Sequence, residues 1–214
     1  SEFKDGGLDY ITADDFISPT EPIIGLRWWG SYWKTPAPNV FINYSNGLLD
    51  AAPGGIDFFM INIHANVPAS ATTPFDAPVP IPFLGLGISM PQVTETEAFT
   101  VTKMNGTPHT VYEYSTILSL NHSTLLSEIL VPGTKYWLNI AAGFYDLERQ
   151  WGWHEAASRH GDFALQKVAG ESFGWFIPCG GRDMAFELVV PEPGSFIALA
   201  LGAAGLVGFV RKRR

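Results

Sequence analysis

Residues 135–144 read Lys135-Tyr-Trp-Leu-Asn-Ile-Ala-Ala-Gly-Phe144, directly after the turn signal Pro132-Gly133. Tyr136, Leu138, Ile140, Ala142 and Phe144 alternate with Trp137, Asn139 and Ala141. Successive side chains of a strand point to opposite faces, so this alternation predicts a strand with one wholly apolar face. The same period appears upstream. In residues 57–66, Phe59, Ile61 and Ile63 face one way, and Phe58, Met60, Asn62 and His64 the other. In residues 22–33, Ile24, Leu26, Trp28 and Tyr32 share a face, and Arg27, Trp29 and Trp33 take the opposite one. Aromatics on both faces of that segment imply a strand covered on both sides, or one face used for contact.

Further strands are expected near 8–17, 97–103, 109–118, 162–168, 173–177 and 184–190. No helical periodicity longer than two turns precedes residue 190. Residues 36–55 read as loop. Residues 67–82 hold five prolines among small residues and read as an irregular excursion with polyproline character, ordered only if it packs on the domain. The expected fold is all-β: an antiparallel β-sandwich, jelly-roll-like or Greek-key, followed by one C-terminal apolar α-helix. The expected division is a β-sandwich domain at 1–189 and a tail at 190–214.

Composition agrees with many short strands. The 22 glycines and 16 prolines are spread along the chain, and aromatic and aliphatic residues stay frequent between them. One cysteine, Cys179, excludes an intrachain disulfide, so packing alone must hold the domain. Of 13 basic and 21 acidic residues, four basic and one acidic lie beyond Val189. The remainder carries nine basic against twenty acidic groups, a balance of −11. So acidic a domain argues against a nucleic-acid partner, whose phosphates need a basic patch. The first residues, Ser1-Glu2-Phe3-Lys4-Asp5, lack the charged-then-apolar order of a secretion signal, and the expectation is that a leader has already been removed.

The tail has three parts: Pro191-Glu192-Pro193, an uncharged apolar run from Ser195 to Val210, and Arg211-Lys212-Arg213-Arg214. The prolines stiffen the first part. As a helix the run would span about 24 Å, somewhat short of a hydrocarbon core of roughly 30 Å. Four cations following an apolar run predict a cytoplasmic end and a membrane stop. This order resembles the PEP-CTERM sorting signal of bacterial exported proteins. The resemblance implies recognition of Pro191, Glu192 and Pro193 by an exosortase, a membrane-embedded processing enzyme, and a helix at 195–210 that is held in the cytoplasmic membrane, transiently or stably. The domain is also similar to an uncharacterised β-rich domain of exported proteins that carry this tail. That likeness rests on Ala13-Asp14-Asp15-Phe16, Trp28-Trp29-Gly30-Ser31-Tyr32, Tyr136-Trp137-Leu138, Trp151-Gly152-Trp153 and Met184-Ala185-Phe186-Glu187-Leu188.

Candidate chemistry is sparse. Trp151 and Trp153 flank Gly152 and share a face, as do Trp29 and Trp33; an exposed pair would form a platform for a sugar ring. The alternative for each indole is the core, which a domain without disulfides needs. If one pair is exposed, the polar neighbours of Trp151 and Trp153 favour that pair. Asp14 with Asp15, Asp57, Asp146 with Glu148, and Asp162 are available to a structural calcium ion, but no Asp-x-Asp-x-Asp-Gly loop occurs. Adjacent Asp14 and Asp15 repel unless backbone donors or a cation satisfy them. His154, Glu155, His160 and Asp162 lie close in sequence without zinc spacing, and no nucleophile elbow or phosphate loop is present. Cys179 is expected to be a small, partly buried residue rather than a catalytic thiol.

These readings lead to one expectation and two alternatives. The expectation is a non-enzymatic exported surface or matrix protein, sorted and anchored through its tail and needing no cofactor. The alternatives are a carbohydrate-binding module that uses exposed tryptophans on a polysaccharide, and a self-assembling subunit that packs against identical copies.

Overall fold

The computed structural model describes residues 10–34, 56–71, 73–102, 108–144, 149–158, 160–168, 174–177 and 181–192. Eleven strands and one α-helix lie within them: β1 Tyr10–Ile17, β2 Gly25–Lys34, β3 Ile56–Val67, β4 Ala77–Pro78, β5 Leu84–Ser89, β6 Thr94–Thr102, β7 Pro108–Ile117, α1 Leu120–Ile129, β8 Lys135–Phe144, β9 Arg149–Trp153, β10 Leu165–Val168 and β11 Phe186–Val189. All named pairings are antiparallel. One sheet has the order β10-β1-β8-β3-β4, with β5 also on β3; the other has β11-β2-β7-β6, with β9 also on β2.

The alternation read from the sequence sets the register. Ile61 pairs with Ile140 and Ile63 with Leu138, so their inward side chains stack in rows. Across from them the second sheet contributes Leu26, Trp28, Tyr32, Tyr114, Trp151 and Trp153 to the same core. An aromatic centre forms where the sheets meet. Phe59 lies edge-on to Trp28, Tyr114 and Trp151 at centroid distances of 4.9, 5.1 and 5.3 Å.

The other face of the first sheet is covered as well. Trp137, fully buried, packs with Ala13, Ala77 and Leu165, and with the partly buried Phe75 and Trp175. Phe75 and Ala77 belong to the proline-rich excursion, which therefore does pack on the domain. Asp76 fastens it, accepting from the Ala69 backbone at 2.8 Å and from Asn66 at 3.1 Å. The His64 ring meets the Val79 carbonyl at 2.8 Å.

The helix corrects the expectation of an all-β domain. Ser119 caps α1, accepting from the His122 amide at 3.3 Å. The segment was hard to read because it buries only Ser123 and Leu126, which leaves no wide apolar stripe. Tertiary contact supplies the rest: the Ser123 hydroxyl donates to the Ile23 carbonyl at 2.9 Å. Strand β5 was also unread, since Gly85 and Gly87 thin out its alternation. The segment expected near 173–177 makes a single bridge, Gln166 with Phe176. The loop at 36–55, Cys179 and the apolar run at 195–210 lie outside the described residues. Among the described residues no helix is long and apolar enough to cross a membrane.

Candidate functional site

Four tryptophans were candidates for a glycan platform, and two of them are core residues. Trp151 is 1 % exposed and Trp153 is 7 % exposed. They share a face, as the spacing requires, but it is the inward one, because Trp151 pairs with Tyr32 and Trp153 with Gly30. The absence of a side chain at Gly30 makes the room. A Cβ there would stand 2.3 Å from the Trp151 ring. Trp153 donates through Nε1 to the Ala185 carbonyl at 2.9 Å and packs on Phe186. The polar neighbours that favoured exposure of this pair do not decide the matter; the pleat does. Trp29 is half-buried on the outer face of β2, and the side chain of Trp33 lies outside the described residues.

Asp14 and Asp15 are both buried, on opposite faces of β1. Asp14 accepts from the Asp15 amide at 3.0 Å and from the Met184 amide at 2.6 Å, which ties the first strand to the approach of the last. Burial pushes the Asp14 carboxyl up to about 8, against those two hydrogen bonds and with a further upward push from Asp183. Asp15 accepts from the Asp162 amide at 2.9 Å, and the chain passes it closely at Gly161, where φ is +90°. Burial raises Asp15 to about 6, with Lys135 pulling the other way. Lys135 Nζ lies 3.9 Å from Asp15, 2.9 Å from Asp76 and 2.5 Å from Asp162. Its hydrogen bonds to Asp162 and Asp76 overcome the effect of burial and raise its pKa. Asp183, 4 % exposed, accepts from the His160 amide.

The adjacent carboxylates are thus satisfied by backbone donors and by one ammonium. Among the described residues, no group of three or more His, Cys, Asp or Glu is placed to hold a metal ion. Asp57 sits in β3, and Asp146 and Glu148 fall outside the described residues.

The His154–Asp162 segment is spread out rather than gathered. His154 Nε2 meets the Ser31 hydroxyl at 2.7 Å, Glu155 pairs with Arg182 at 2.7 Å, and Asp162 turns to Lys135. Burial pushes His154 down to about 4, and His109, with ring centroids 5.8 Å apart, adds to the effect. A neutral imidazole against a serine hydroxyl is the beginning of a nucleophilic pair. Here Ser31 is 0 % exposed, and no carboxylate orients His154 among the described residues. The pair acts as a lock between β9 and β2.

The sequence reading missed Glu95. It accepts from the Tyr32 hydroxyl at 2.6 Å and the Tyr114 hydroxyl at 3.1 Å. Burial, with Tyr32 and Glu95 beside it, raises the Tyr114 phenol. A glutamate on the tyrosine-facing side of a strand was the available signal. A cleft of about 60 Å³ lies between residues 18–23 and α1, lined by Pro19, Pro22, Leu126 and Leu130. It is far below the roughly 300 Å³ at which small-molecule sites begin.

The remaining candidate is the tail motif. Only Val190 separates β11 from Pro191, which is half-buried, and Glu192 is exposed. Pro193 and Arg211, Lys212, Arg213 and Arg214 lie outside the described residues. Residues 189–214 match the PEP-CTERM protein-sorting motif, so this end of the chain is a sorting signal of exported, exosortase-processed proteins. No curated protein and no solved structure matches the chain. Residues 2–201 match a domain of unknown function, DUF7901, and with nearly its whole length inside that match the chain belongs to the DUF7901 family.

Proposed function

We propose that the protein is displayed outside the cytoplasmic membrane as a non-enzymatic surface or matrix component, and that its tail holds it at the membrane until an exosortase acts near Pro191–Pro193. The observation that carries this reading is the position of the sorting motif, which begins on the last residue of β11 and leaves almost no linker. The domain is a finished fold when the tail begins, and its polar clusters are spent on holding it together. Tail removal would leave that fold intact. A glycan-binding role now rests on Trp29 and Trp33, since the other two indoles are in the core.

The test is the intact mass of the protein taken from its native cell surface. A mass short by the tail from about residue 193 supports processing, and any added mass identifies what the new terminus is joined to. A full-length mass, or unchanged sorting of Glu192→Ala, defeats the reading.

A further inference from the structure

The exposed apolar side chains are unevenly placed. Strands β1, β3 and β11 end, and β2 and β8 begin, at the end of the domain that carries α1. The connections show this: Ser18 donates to the Thr134 carbonyl, Ile24 to Val189, and Leu118 to Ile24. At that same end Ile17 is 56 % exposed, Ile117 73 %, Leu120 81 %, Val131 58 % and Ile81 77 %. The chain departs beside Ile117. Val189 and Ile117 both pair with Gly25, and a Cβ at Gly25 would lie within 3.4 Å of both side chains.

From Pro191 to Ser195 there are four residue steps, at most about 14 Å of extended chain. A tail inserted from residue 195 therefore brings this end of the domain, and no other, against the lipid surface. We infer that the α1 end is a membrane-apposed face, in which Ile117, Leu120 and Val131 enter the headgroup region of the bilayer that holds the tail. The inference rests on the sorting reading proposed above. The domain's balance of −11 argues that contact comes from apolar insertion into a zwitterionic surface, not from attraction to anionic lipid. Exposed leucine and isoleucine beside the exit point gain free energy when they leave water for the headgroup boundary.

The experiment uses the full chain in phosphatidylcholine vesicles. An environment-sensitive fluorophore is attached through Leu120→Cys in a Cys179→Ser background. The control label is Thr102→Cys, at the far end of β6, opposite Pro108 at the start of β7. The expected result is flotation with the vesicles, a blue shift at position 120, and at least threefold stronger quenching there than at 102 by brominated lipid. Adding Ile117→Asp should abolish the shift and leave flotation unchanged. Flotation with a water-like signal at 120 overturns this inference and leaves the sorting reading standing. Failure to float defeats the sorting reading and this one with it. A shift that appears without vesicles and grows with protein concentration assigns the face to a second copy and overturns the lipid assignment.

Discussion

The aromatic centre is wholly buried and the carboxylate cluster only in part, with Asp14 and Asp15 inside and Asp76, Asp162 and Lys135 reaching water, and the two are held by different physics. Phe59, Trp28, Tyr114 and Trp151 meet edge to face or stacked, at centroid distances between 4.9 and 5.9 Å. Their contribution comes from removing apolar area from water, which is proportional to area and indifferent to pH. Asp14, Asp15, Asp76, Asp162 and Lys135 depend on direction and on protonation. The first region tolerates small shifts of position and fails when volume changes. The second tolerates changes of volume and fails when a partner is removed.

The largest effect should come from the aromatic side. Trp151→Ala is expected to lower unfolding free energy by about 3–5 kcal/mol, measured by denaturant titration. Gly30→Ala should cost about 2 kcal/mol through overpacking against the Trp151 ring, and under about 1 kcal/mol in the Trp151→Ala background. Equal costs in both backgrounds would break the account of why a glycine stands there.

On the carboxylate side, Lys135→Met removes the one ammonium facing three carboxylates and should cost about 2–3 kcal/mol at pH 7. At pH 4, where Asp15 has taken up its proton, the cost should be smaller. A penalty independent of pH would mean that Lys135 acts through its hydrocarbon stem.

The pH dependence separates the two regions directly. Asp14 and Asp15 stand at about 8 and about 6 in the fold, against an ordinary value of 3.8. An acid with a raised folded pKa binds its proton more tightly when folded. Its contribution is therefore full below about pH 4 and is lost as pH rises through the folded value. By those two values stability should fall by up to about 5 kcal/mol between pH 5 and pH 8, and Asp14→Asn should flatten the part above pH 6. Stability rising over that interval would show that both groups are ionised in the fold. The smallest change is expected from Ser31→Ala, about 1 kcal/mol, because the His154 ring then loses its hydrogen bond to the Ser31 hydroxyl while the surrounding strands stay paired.

The same contrast explains what could be read in advance. Apolar alternation is local, so β2, β3, β7 and β8 were visible in the sequence, and so were the residues sharing each face. Which face turns inward is not local. Trp151 and Trp153 share a face by spacing, but only their pairing with Tyr32 and Gly30 sends both into the core. The carboxylate cluster was half legible. Adjacent Asp14 and Asp15 demanded donors, but the donor amides stand on Met184 and Asp162, 170 and 147 residues away. Helix α1 was hidden because it buries so little of itself. The tail motif was the most legible feature of all, since a signal read as a linear peptide depends on order and position rather than on folding.

Strand β11 carries a mechanical consequence. It is four residues long, lies at the edge of its sheet on β2, and is the last strand before the sorting motif. Any pull on the tail, from a membrane or a processing enzyme, reaches the domain through these four residues first. Drawn along its own axis, β11 would be loaded in shear, with its rungs sharing the force at once. Behind it the Met184 amide is clamped by Asp14, and the Ala185 carbonyl is held by the Trp153 indole. The carboxylate and the indole thus anchor the tether, handing its tension to β1 and the core so that the end of the chain does not peel away.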